Sequence, residues 1–281
     1  MITIGKLIEK KIKGEKIIML TAYDYPLARL IEKSGLDMIL VGDSGGMVTL
    51  GYTNTIPVTM DEMLMFTKAV RRGAPDTFII ADMPFMSYNT STNQAIENAG
   101  RLIKEGGADA IKLEGGKRMA ETVRSIVDAG IAVQGHIGLT PQNLTQINGF
   151  VSQGKSYEAA KRLIEDAEAL QSAGIFSLIL EAIPVKLANY LTEHLKIPTI
   201  GTGAGSGCDG QNLITPDVLG YFDRFTPKFA KQYVNISEII LSAIKHYTDD
   251  VASLAFPSVE NTYPLKDDAF LDRLFSEYQW S

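Results

Sequence analysis

Short apolar runs alternate with amphipathic stretches along most of the chain. The apolar runs predict strands near residues 17–22, 37–42, 77–82, 109–114, 131–136, 176–181, 197–201 and, more weakly, 217–222. Between them, apolar residues at helical spacing predict helices near 26–34, 61–72, 93–106, 117–129, 156–173 and 185–195. Strands that alternate with helices in this way are typical of βαβ units and a parallel sheet.

Four of the predicted strands end on a carboxylate: Asp43, Asp82, Glu114 and Glu181. In a barrel of parallel strands, the C-terminal strand ends meet at one mouth, where enzymes of this architecture keep their active sites. An open, doubly wound sheet is the alternative, but its polar residues would concentrate at one switch point. Polar residues on many strand ends therefore favour an α/β fold of the (β/α)8 TIM-barrel class.

Strand parity predicts which side chains enter the barrel. Side chains alternate faces along a strand, so Lys112 and Glu114 share the face opposite the apolar Ile111 and Leu113. The same parity turns His136 towards the mouth. A buried lysine and glutamate are costly unless they pair or meet a ligand, so a structural ion pair remains an alternative. A single strand-end acid can also be only the N-cap of the next helix.

The acidic cluster predicts a hard divalent cation. Mg2+ prefers oxygen ligands and usually keeps waters that substrate oxygens can replace. The sequence has no array of His and Cys residues suited to structural zinc. A cation chelated by a 2-oxo acid would polarise the carbonyl and stabilise an enolate, and a carboxylate outside the metal shell could act as the general base.

Length and composition limit the other classes. The 281 residues match one barrel, which we assign to residues 1–256, with a short C-terminal extension at 257–281. The net charge of −6 and the pI near 5.2 argue against a nucleic-acid surface. No apolar stretch is long enough for a membrane span, and the lysine-rich start has no secretory signal behind it. With the single cysteine Cys208, these features predict a cytoplasmic protein.

Several segments together resemble one known family, ketopantoate hydroxymethyltransferase. The matching segments follow the family's order across about residues 4–256. They are 21–24 (TAYD), 41–47 (VGDSGGM), 69–75 (AVRRGAP), 81–88 (ADMPFMSY), 111–116 (IKLEGG), 135–142 (GHIGLTPQ), 203–205 (GAG), 208–211 (CDGQ) and 227–229 (PKF), with Leu180-Glu181 ahead of Pro184. Any one segment alone would be weak, but the ensemble is specific.

The resemblance implies an Mg2+-dependent, enolising barrel related to the phosphoenolpyruvate mutases and isocitrate lyases. It implies transfer of a one-carbon unit from 5,10-methylenetetrahydrofolate to 3-methyl-2-oxobutanoate, giving 2-dehydropantoate for pantothenate biosynthesis. It also implies a large ring-like homo-oligomer, a decamer. The roles it implies are metal association for Asp43, Asp82 and Glu114, substrate binding for Asp43, Ser44, Asp82, Lys112 and His136, and removal of the C3 proton by Glu181.

Two other functions remain alternatives at this point. One is a carbon–carbon lyase or phosphonomutase on the same barrel, which would need its own reactive group, such as a cysteine in the mouth. The other is a ligand-binding barrel without turnover. Residues 143–155 form a long, polar, glycine-containing connection, which we predict to be a mobile lid over the bound substrate or folate.

Overall fold

A computed structural model describes residues 2–143, 151–265 and 267–278. Within them, eight parallel strands pair in sequence order and β1 closes on β8, so the sheet is a barrel. The (β/α)8 class expected from the sequence is confirmed. The strands are β1 (Ile17–Thr21), β2 (Met38–Val41), β3 (Phe78–Asp82), β4 (Ala110–Glu114), β5 (Val133–Gly138), β6 (Ser177–Glu181), β7 (Thr199–Thr202) and β8 (Gly210–Leu213).

Helices alternate with the strands, and several of them begin at a residue whose side chain caps the first turn. The clearest case is a capping box in which Thr59 accepts from the N–H of Glu62 while the Glu62 carboxylate accepts from the N–H of Thr59. The helices are α1 (Ile4–Lys13), α2 (Tyr25–Lys33), α3 (Gly45–Val48), α4 (Met60–Gly73), α5 (Thr92–Lys104), α6 (Ala120–Asp128), α7 (Tyr157–Ala173), α8 (Val185–His194), α9 (Thr215–Leu219), α10 (Ile236–Ala252) and α11 (Ala269–Glu277).

Inward-facing side chains change from apolar to polar along the strands. At the N-terminal ends, the interior holds a buried cluster that includes Ile17, Met38 and Phe78. At the C-terminal ends, inward positions hold polar residues such as Asp82 and Lys112. Outward-facing residues form a second, larger core against the helices. Polar chemistry is therefore confined to one end of the barrel.

Helix α1 covers the opposite, apolar end of the barrel. Leu7 on this helix is fully buried within the interior cluster. Two ion pairs hold the helix to residues that precede strands: Lys10 Nζ lies 2.6 Å from Asp37 Oδ2, and Lys11 Nζ lies 2.7 Å from Asp209 Oδ2. Helix α1 therefore packs over this end of the barrel, and the large cavity opens at the C-terminal strand ends.

The predicted position of the eighth strand is wrong. Residues 217–222 were assigned to it because of their apolar run, but Thr215–Leu219 form α9, which begins with Pro216 in its first turn and ends at Gly220 in a left-handed conformation. The eighth strand is Gly210–Leu213. Its glycine and amide residues carry no apolar pattern, and it is a strand because β1 and β7 supply its hydrogen-bonding partners.

The chain forms two compact units, residues 1–234 and 235–281. The first unit contains the barrel. The second contains α10 and α11, in which no residue is buried. A domain boundary at 256/257 stays a prediction, since α10 groups with the tail in this division. No helix in the described ranges is both long and apolar enough to cross a membrane.

Candidate active site

A cavity of about 760 Å3 opens at the C-terminal ends of the strands. Its inner wall is formed by strand-end side chains, and its outer wall by residues that follow β8. Seven site residues predicted from the sequence all line it: Asp43, Ser44, Asp82, Lys112, Glu114, His136 and Glu181. The structure therefore brings together residues that are separated by up to 138 positions (181 minus 43) along the chain.

Lys112 lies at the centre of the charged groups. Its Nζ is 2.8 Å from Asp82 Oδ1, 4.0 Å from Glu114 Oε1 and 3.3 Å from His136 Nδ1. Burial opposes its charge, but the carboxylates of Asp82, Glu114 and Asp43 outweigh burial and raise the pKa of Lys112 above its ordinary value. The lysine is therefore a fixed positive charge inside the barrel, as strand parity predicted.

Asp43 and Asp82 form a buried pair of acids. The backbone N–H of Asp43 donates to Asp82 Oδ2 at 3.0 Å. Burial, followed by the negative charges of Asp82 and Glu114, raises the pKa of Asp43 well above its usual range. Burial also raises the pKa of Asp82, although Lys112 acts in the opposite direction. One lysine does not neutralise these carboxylates, so the cluster favours a further positive charge.

Gln142 donates hydrogen bonds to two of the acids, Asp43 and Glu114, and Tyr88 donates one to Gln142. The Gln142 Nε2 donates to Asp43 Oδ2 at 2.9 Å and to Met83 O at 2.9 Å, and the Gln142 backbone N–H donates to Glu114 Oε2 at 3.0 Å. The Tyr88 hydroxyl donates to Gln142 Oε1 at 2.6 Å. These two residues were not predicted as site residues, although both lie in segments that carry the family resemblance.

His136 lies between two carboxylates. Its Nδ1 is 3.5 Å from Glu114 Oε1, and its Nε2 is 3.2 Å from Glu181 Oε2 without the alignment of a hydrogen bond. Burial and the charge of Lys112 disfavour protonation, but Glu114 and Glu181 outweigh them and raise the pKa of His136 to about 9. When both groups are charged, the imidazole and the Lys112 ammonium group repel each other, and both can only donate hydrogen bonds. The Glu114 carboxylate lies close enough to both to offset this repulsion.

Glu181 differs from the other acids in its access to the cavity. Its side chain is 16% exposed, whereas those of Asp82 and Glu114 are 3% and 1% exposed. It stands at the end of β6, outside the group of carboxylates that contact Lys112. Among these acids, Glu181 is therefore the best placed to exchange a proton with a ligand or with water.

Ser44 begins α3 at the mouth, and its Oγ is 2.8 Å from the Tyr23 hydroxyl. Gly45 and Gly46, which follow Ser44, are buried, and a Cβ on Gly46 would lie 2.3 Å from Val58 Cγ2. Their small size is required by the packing beneath Ser44.

A sequence model described as ketopantoate hydroxymethyltransferase matches residues 1–259. The chain belongs to this family. The 3-methyl-2-oxobutanoate hydroxymethyltransferase of Moorella thermoacetica is 54% identical over 262 residues, which cover 93% of this chain and 97% of the relative. The enzyme of the same description from Heliobacterium modesticaldum is 53% identical over 267 residues, with coverage of 95% and 97%. As a member of the ketopantoate hydroxymethyltransferase family, the chain is a transferase.

Solved structures with the same fold are more distant in sequence. A phosphonopyruvate hydrolase superposes with a TM-score of 0.59 at 13% identity, covering 99% of this chain and 96% of that chain. A 2,3-dimethylmalate lyase, described as a member of the PEP mutase/isocitrate lyase superfamily, has a TM-score of 0.57 at 13% identity, with coverage of 99% and 96%. At this identity the likeness shows a shared barrel fold.

The donor set of this ketopantoate hydroxymethyltransferase family member fits a hard cation chemically. Asp43, Asp82 and Glu114 place several carboxylate oxygens together in a buried setting, and Asp82 Oδ1 has no aligned hydrogen bond. As the side chains lie, however, no group of three or more His, Cys, Asp or Glu residues within 2–143, 151–265 and 267–278 is arranged to hold a metal ion. Lys112 supplies the positive charge nearest to Asp82.

The outer wall contains residues that sequence reasoning missed. Asn212 and Asp217 line the cavity with a series of apolar residues from the segment after α9, namely Phe222, Phe225, Pro227 and Phe229. Asp217 lies four residues after the end of β8, so an eighth strand placed at Gly210–Leu213 would have pointed to it. The misplacement of the eighth strand concealed it, because residues 217–222 were assigned to the strand itself.

The predicted lid at 143–155 lies partly outside the described residues, which omit 144–150. In the described part, Ser152 lines the cavity, and the backbone N–H of Gln153 donates to Ala182 O at 2.9 Å. The lid stays a prediction for this ketopantoate hydroxymethyltransferase family member.

Proposed function

We propose that the chain transfers a one-carbon unit from 5,10-methylenetetrahydrofolate to C3 of 3-methyl-2-oxobutanoate and forms 2-dehydropantoate. In this reaction the C3–H bond breaks and a bond forms between C3 and the folate methylene carbon. The two bonds from the methylene carbon to N5 and N10 of the folate break, and water supplies the oxygen of the product hydroxyl. Tetrahydrofolate leaves with two new N–H protons, which balance the C3 proton and one proton of the water. The observation that carries the proposal is the position of Glu181, a partly exposed carboxylate that lines the cavity outside the buried group of acids around Lys112.

The 2-oxo acid binds at the inner wall. Its carboxylate and oxo groups are hydrogen-bond acceptors, and Lys112 offers a fixed ammonium group with a raised pKa. The Ser44 hydroxyl lies at the same wall and adds a donor. Glu181, at the end of β6, lines the same cavity and is the carboxylate proposed to meet C3 of a ligand held by these two groups.

Glu181 removes the C3 proton. Its Oε2 lies 3.2 Å from His136 Nε2, so the charged imidazole can hold the carboxylate in place. A positioned general base of this kind contributes a factor of about 10²–10⁴ to the rate. Because Lys112 is buried, away from the screening of bulk water, it attracts strongly the negative charge that develops on the substrate.

Asp43, Asp82 and Glu114 are the residues that would hold Mg2+. When bound, the cation would supply Lewis acidity to the substrate carbonyl and so favour the enolate. The support for this cation is the oxygen-only donor set and the raised pKa of Asp43, which burial and the neighbouring Asp82 and Glu114 charges cause and which an added positive charge would relieve. Lys112 then balances the remaining carboxylate charge.

The folate donor occupies the remaining, outer part of the cavity. A volume of about 760 Å3 lies in the range of ~300–1,000 Å3 that suits ligands of drug size, and a short 2-oxo acid fills only a fraction of it. The apolar wall formed by Phe222, Phe225 and Phe229 suits a large, flat ligand. The space therefore supports a second, aromatic substrate above the first.

The rival lyase or phosphonomutase function has no observation in its favour. It would need a reactive group such as a cysteine in the mouth, and Cys208, the single cysteine of the sequence, is buried and does not line the cavity.

The test is proton NMR of 3-methyl-2-oxobutanoate in D2O with the purified protein and Mg2+, first without and then with methylenetetrahydrofolate. We expect the C3 proton signal to disappear before folate is added, and 2-dehydropantoate to appear only afterwards. No exchange and no product, with the metal confirmed bound, would contradict the proposed reaction.

We further infer a homo-oligomer, a decamer by family resemblance, that works in the cytoplasm. The exposed apolar side chains of α10, which include Ile240, Leu241 and Ile244, support burial by another copy. Light scattering of the purified protein should give the mass of ten chains, and a monomer at micromolar concentration would contradict the inference.

A further inference from the structure

The β8 side of the cavity contains a carboxylate that the proposed chemistry does not use. Asp217 lies on α9, directly after β8, and it lines the cavity while being 5% exposed. In the described parts of the chain, no ion pair or side-chain hydrogen bond reaches its carboxylate. Burial raises the pKa of Asp217 to about 6. A buried carboxylate without a partner is costly, which makes a ligand contact the natural reason for it.

Asn212 is a second unpaired polar group on the same side. Its residue is 6% exposed, it lines the cavity, and its Oδ1 has no hydrogen-bond partner among the described residues. The Nδ2 has one long contact, 3.4 Å to Thr202 Oγ1. The Asp217 carboxylate and Asn212 Oδ1 both accept hydrogen bonds, so a ligand that binds on this side of the cavity must supply hydrogen-bond donors.

The 2-oxo acid cannot be that ligand. It carries a carboxylate and an oxo group, which accept hydrogen bonds and donate none, and its negative charge would be repelled by Asp217. The other side of the cavity, where Lys112 lies, suits it far better. The ligand at Asp217 must therefore bring N–H groups, and it must be compatible with the apolar wall.

That wall is aromatic and lies at the mouth. Phe222, Phe225 and Phe229 line the cavity with Asp217. Phe229 packs over Gly203, where a Cβ would lie 2.6 Å from the ring, so the glycine lets the ring settle against the strand end. A flat aromatic ligand is stabilised by contact with the faces and edges of these phenylalanine rings, and hydrogen bonds to the Asp217 carboxylate fix its orientation.

We propose that Asp217 binds the 2-amino-4-oxopyrimidine edge of the folate pterin, whose ring lies against Phe222, Phe225 and Phe229. This edge presents two adjacent donors, the 2-amino N–H and the N3–H, which match the two oxygens of one carboxylate. The inference rests on the proposed function in taking a folate as the second substrate. Asp217 is then a specificity-determining residue for that substrate, and it is separate from the groups that act on the 2-oxo acid.

The experiment measures binding of 6-methyltetrahydropterin, which contains the pterin edge without the rest of the folate, by isothermal titration. The variant is Asp217→Asn, and its matched control is Asp223→Asn, an exposed aspartate nearby. We expect Asp217→Asn to weaken binding by about 10- to 100-fold, as loss of a charged hydrogen-bonded pair does, and Asp223→Asn to leave it unchanged.

A second probe needs no variant. A tetrahydropterin in which a methyl group replaces the 2-amino group lacks one of the two donors. We expect the unaltered protein to bind it at least about tenfold more weakly than the parent pterin, and Asp217→Asn to lose most of this preference. Equal affinity of the unaltered protein for the two pterins, or equal affinity of Asp217→Asn and the unaltered protein for the parent pterin, would overturn the assignment.

Exchange of the C3 proton of 3-methyl-2-oxobutanoate separates this inference from the proposed reaction. We expect Asp217→Asn to keep the exchange rate of the unaltered protein in Mg2+ and D2O without folate. If the unaltered protein showed no C3 exchange but Asp217→Asn still weakened pterin binding, the pterin site would be supported and the proposed reaction would be contradicted. If exchange were normal and the pterin contrast were absent, the reaction would stand and the role of Asp217 would fall.

Discussion

The two sides of the barrel mouth differ in whether their polar side chains contact one another. From β3 to β6, the charged side chains face one another: Lys112 contacts Asp82, and His136 lies between Glu114 and Glu181. On the β8 side, Asp217 and Asn212 are buried with acceptor atoms that have no partner in the described structure. Charged groups that already lie next to one another before a ligand arrives suit chemistry on the ligand, since they are in position when it binds. Unpaired acceptors suit recognition, because a ligand completes them.

Glu181→Gln should cause the largest loss and so test the chemical side. The amide cannot accept the C3 proton, so exchange at C3 of 3-methyl-2-oxobutanoate should fall by about 10²–10⁴-fold, while binding of Mg2+ and the 2-oxo acid stays largely intact. Proton NMR in D2O measures the exchange, and titration calorimetry measures binding. Glu193→Gln, on the exposed face of α8, is the control. Loss of binding instead would make Glu181 a ligand or a structural residue.

Asp82→Asn should weaken Mg2+ binding by at least about tenfold. The amide keeps the shape of the side chain but removes one of the negative charges around Lys112. Titration calorimetry with Mg2+ measures the effect, and Asp76→Asn, an exposed aspartate before β3, is the control. Unaltered Mg2+ affinity would remove Asp82 from the metal-binding residues.

Gln142→Leu should destabilise the fold at the group of charged residues around Lys112. The substitution removes the side-chain partners of Asp43, Met83 O and Tyr88, which are buried, so the free energy of unfolding should fall by about 1–3 kcal/mol. Urea unfolding measures this, with Gln232→Leu at an exposed position as the control. Stability equal to that of the unaltered protein would show that the Gln142 hydrogen bonds contribute nothing to the fold.

Asp217→Asn should have the smallest of these effects, and it should stabilise the fold rather than destabilise it. The pKa of Asp217 is raised from 3.8 to about 6 in the folded chain, so ionisation of this residue disfavours the fold. This penalty is absent below about pH 4, grows as the pH rises, and is complete above about pH 6. The variant should therefore melt a few degrees higher than the unaltered protein at pH 8, with no difference near pH 4.

A melting temperature lowered by Asp217→Asn at pH 8 would mean that the carboxylate has a stabilising partner, and the contrast between the two sides would disappear. Thermal unfolding followed by circular dichroism at both pH values decides this. Asp223→Asn, which is exposed, should leave the melting temperature unchanged at either pH.

Much of the charged side could be predicted from local pattern. The alternation of faces along β4 was enough to predict that Lys112 and Glu114 enter the barrel, because an apolar face that includes Ile111 and Leu113 must pack against helices. The same reasoning placed His136. Each of these residues lies within a strand that the sequence predicts, so the direction of its side chain follows from the chain around it.

The β8 side could not be predicted in this way. Strand β8 has a glycine and two amide residues in four positions, and only its pairing with β1 and β7 defines it as a strand. Without the strand, Asp217 could not be recognised as a strand-end acid. Tyr88 and Gln142 were missed for a related reason: their contacts with Glu114 and Asp43 join segments between 26 and 99 residues apart.

Local pattern is enough to predict the barrel class, the inward face of the apolar strands and seven of the side chains that line the mouth, because the alternation of faces and the order of strands and helices are visible along the chain. Which of these groups pair, which stay unpaired, and that an aromatic wall lies beside Asp217 follow from the closed barrel alone. Pairing depends on distances of a few ångströms between segments far apart in the chain, and these distances exist only once the barrel has closed.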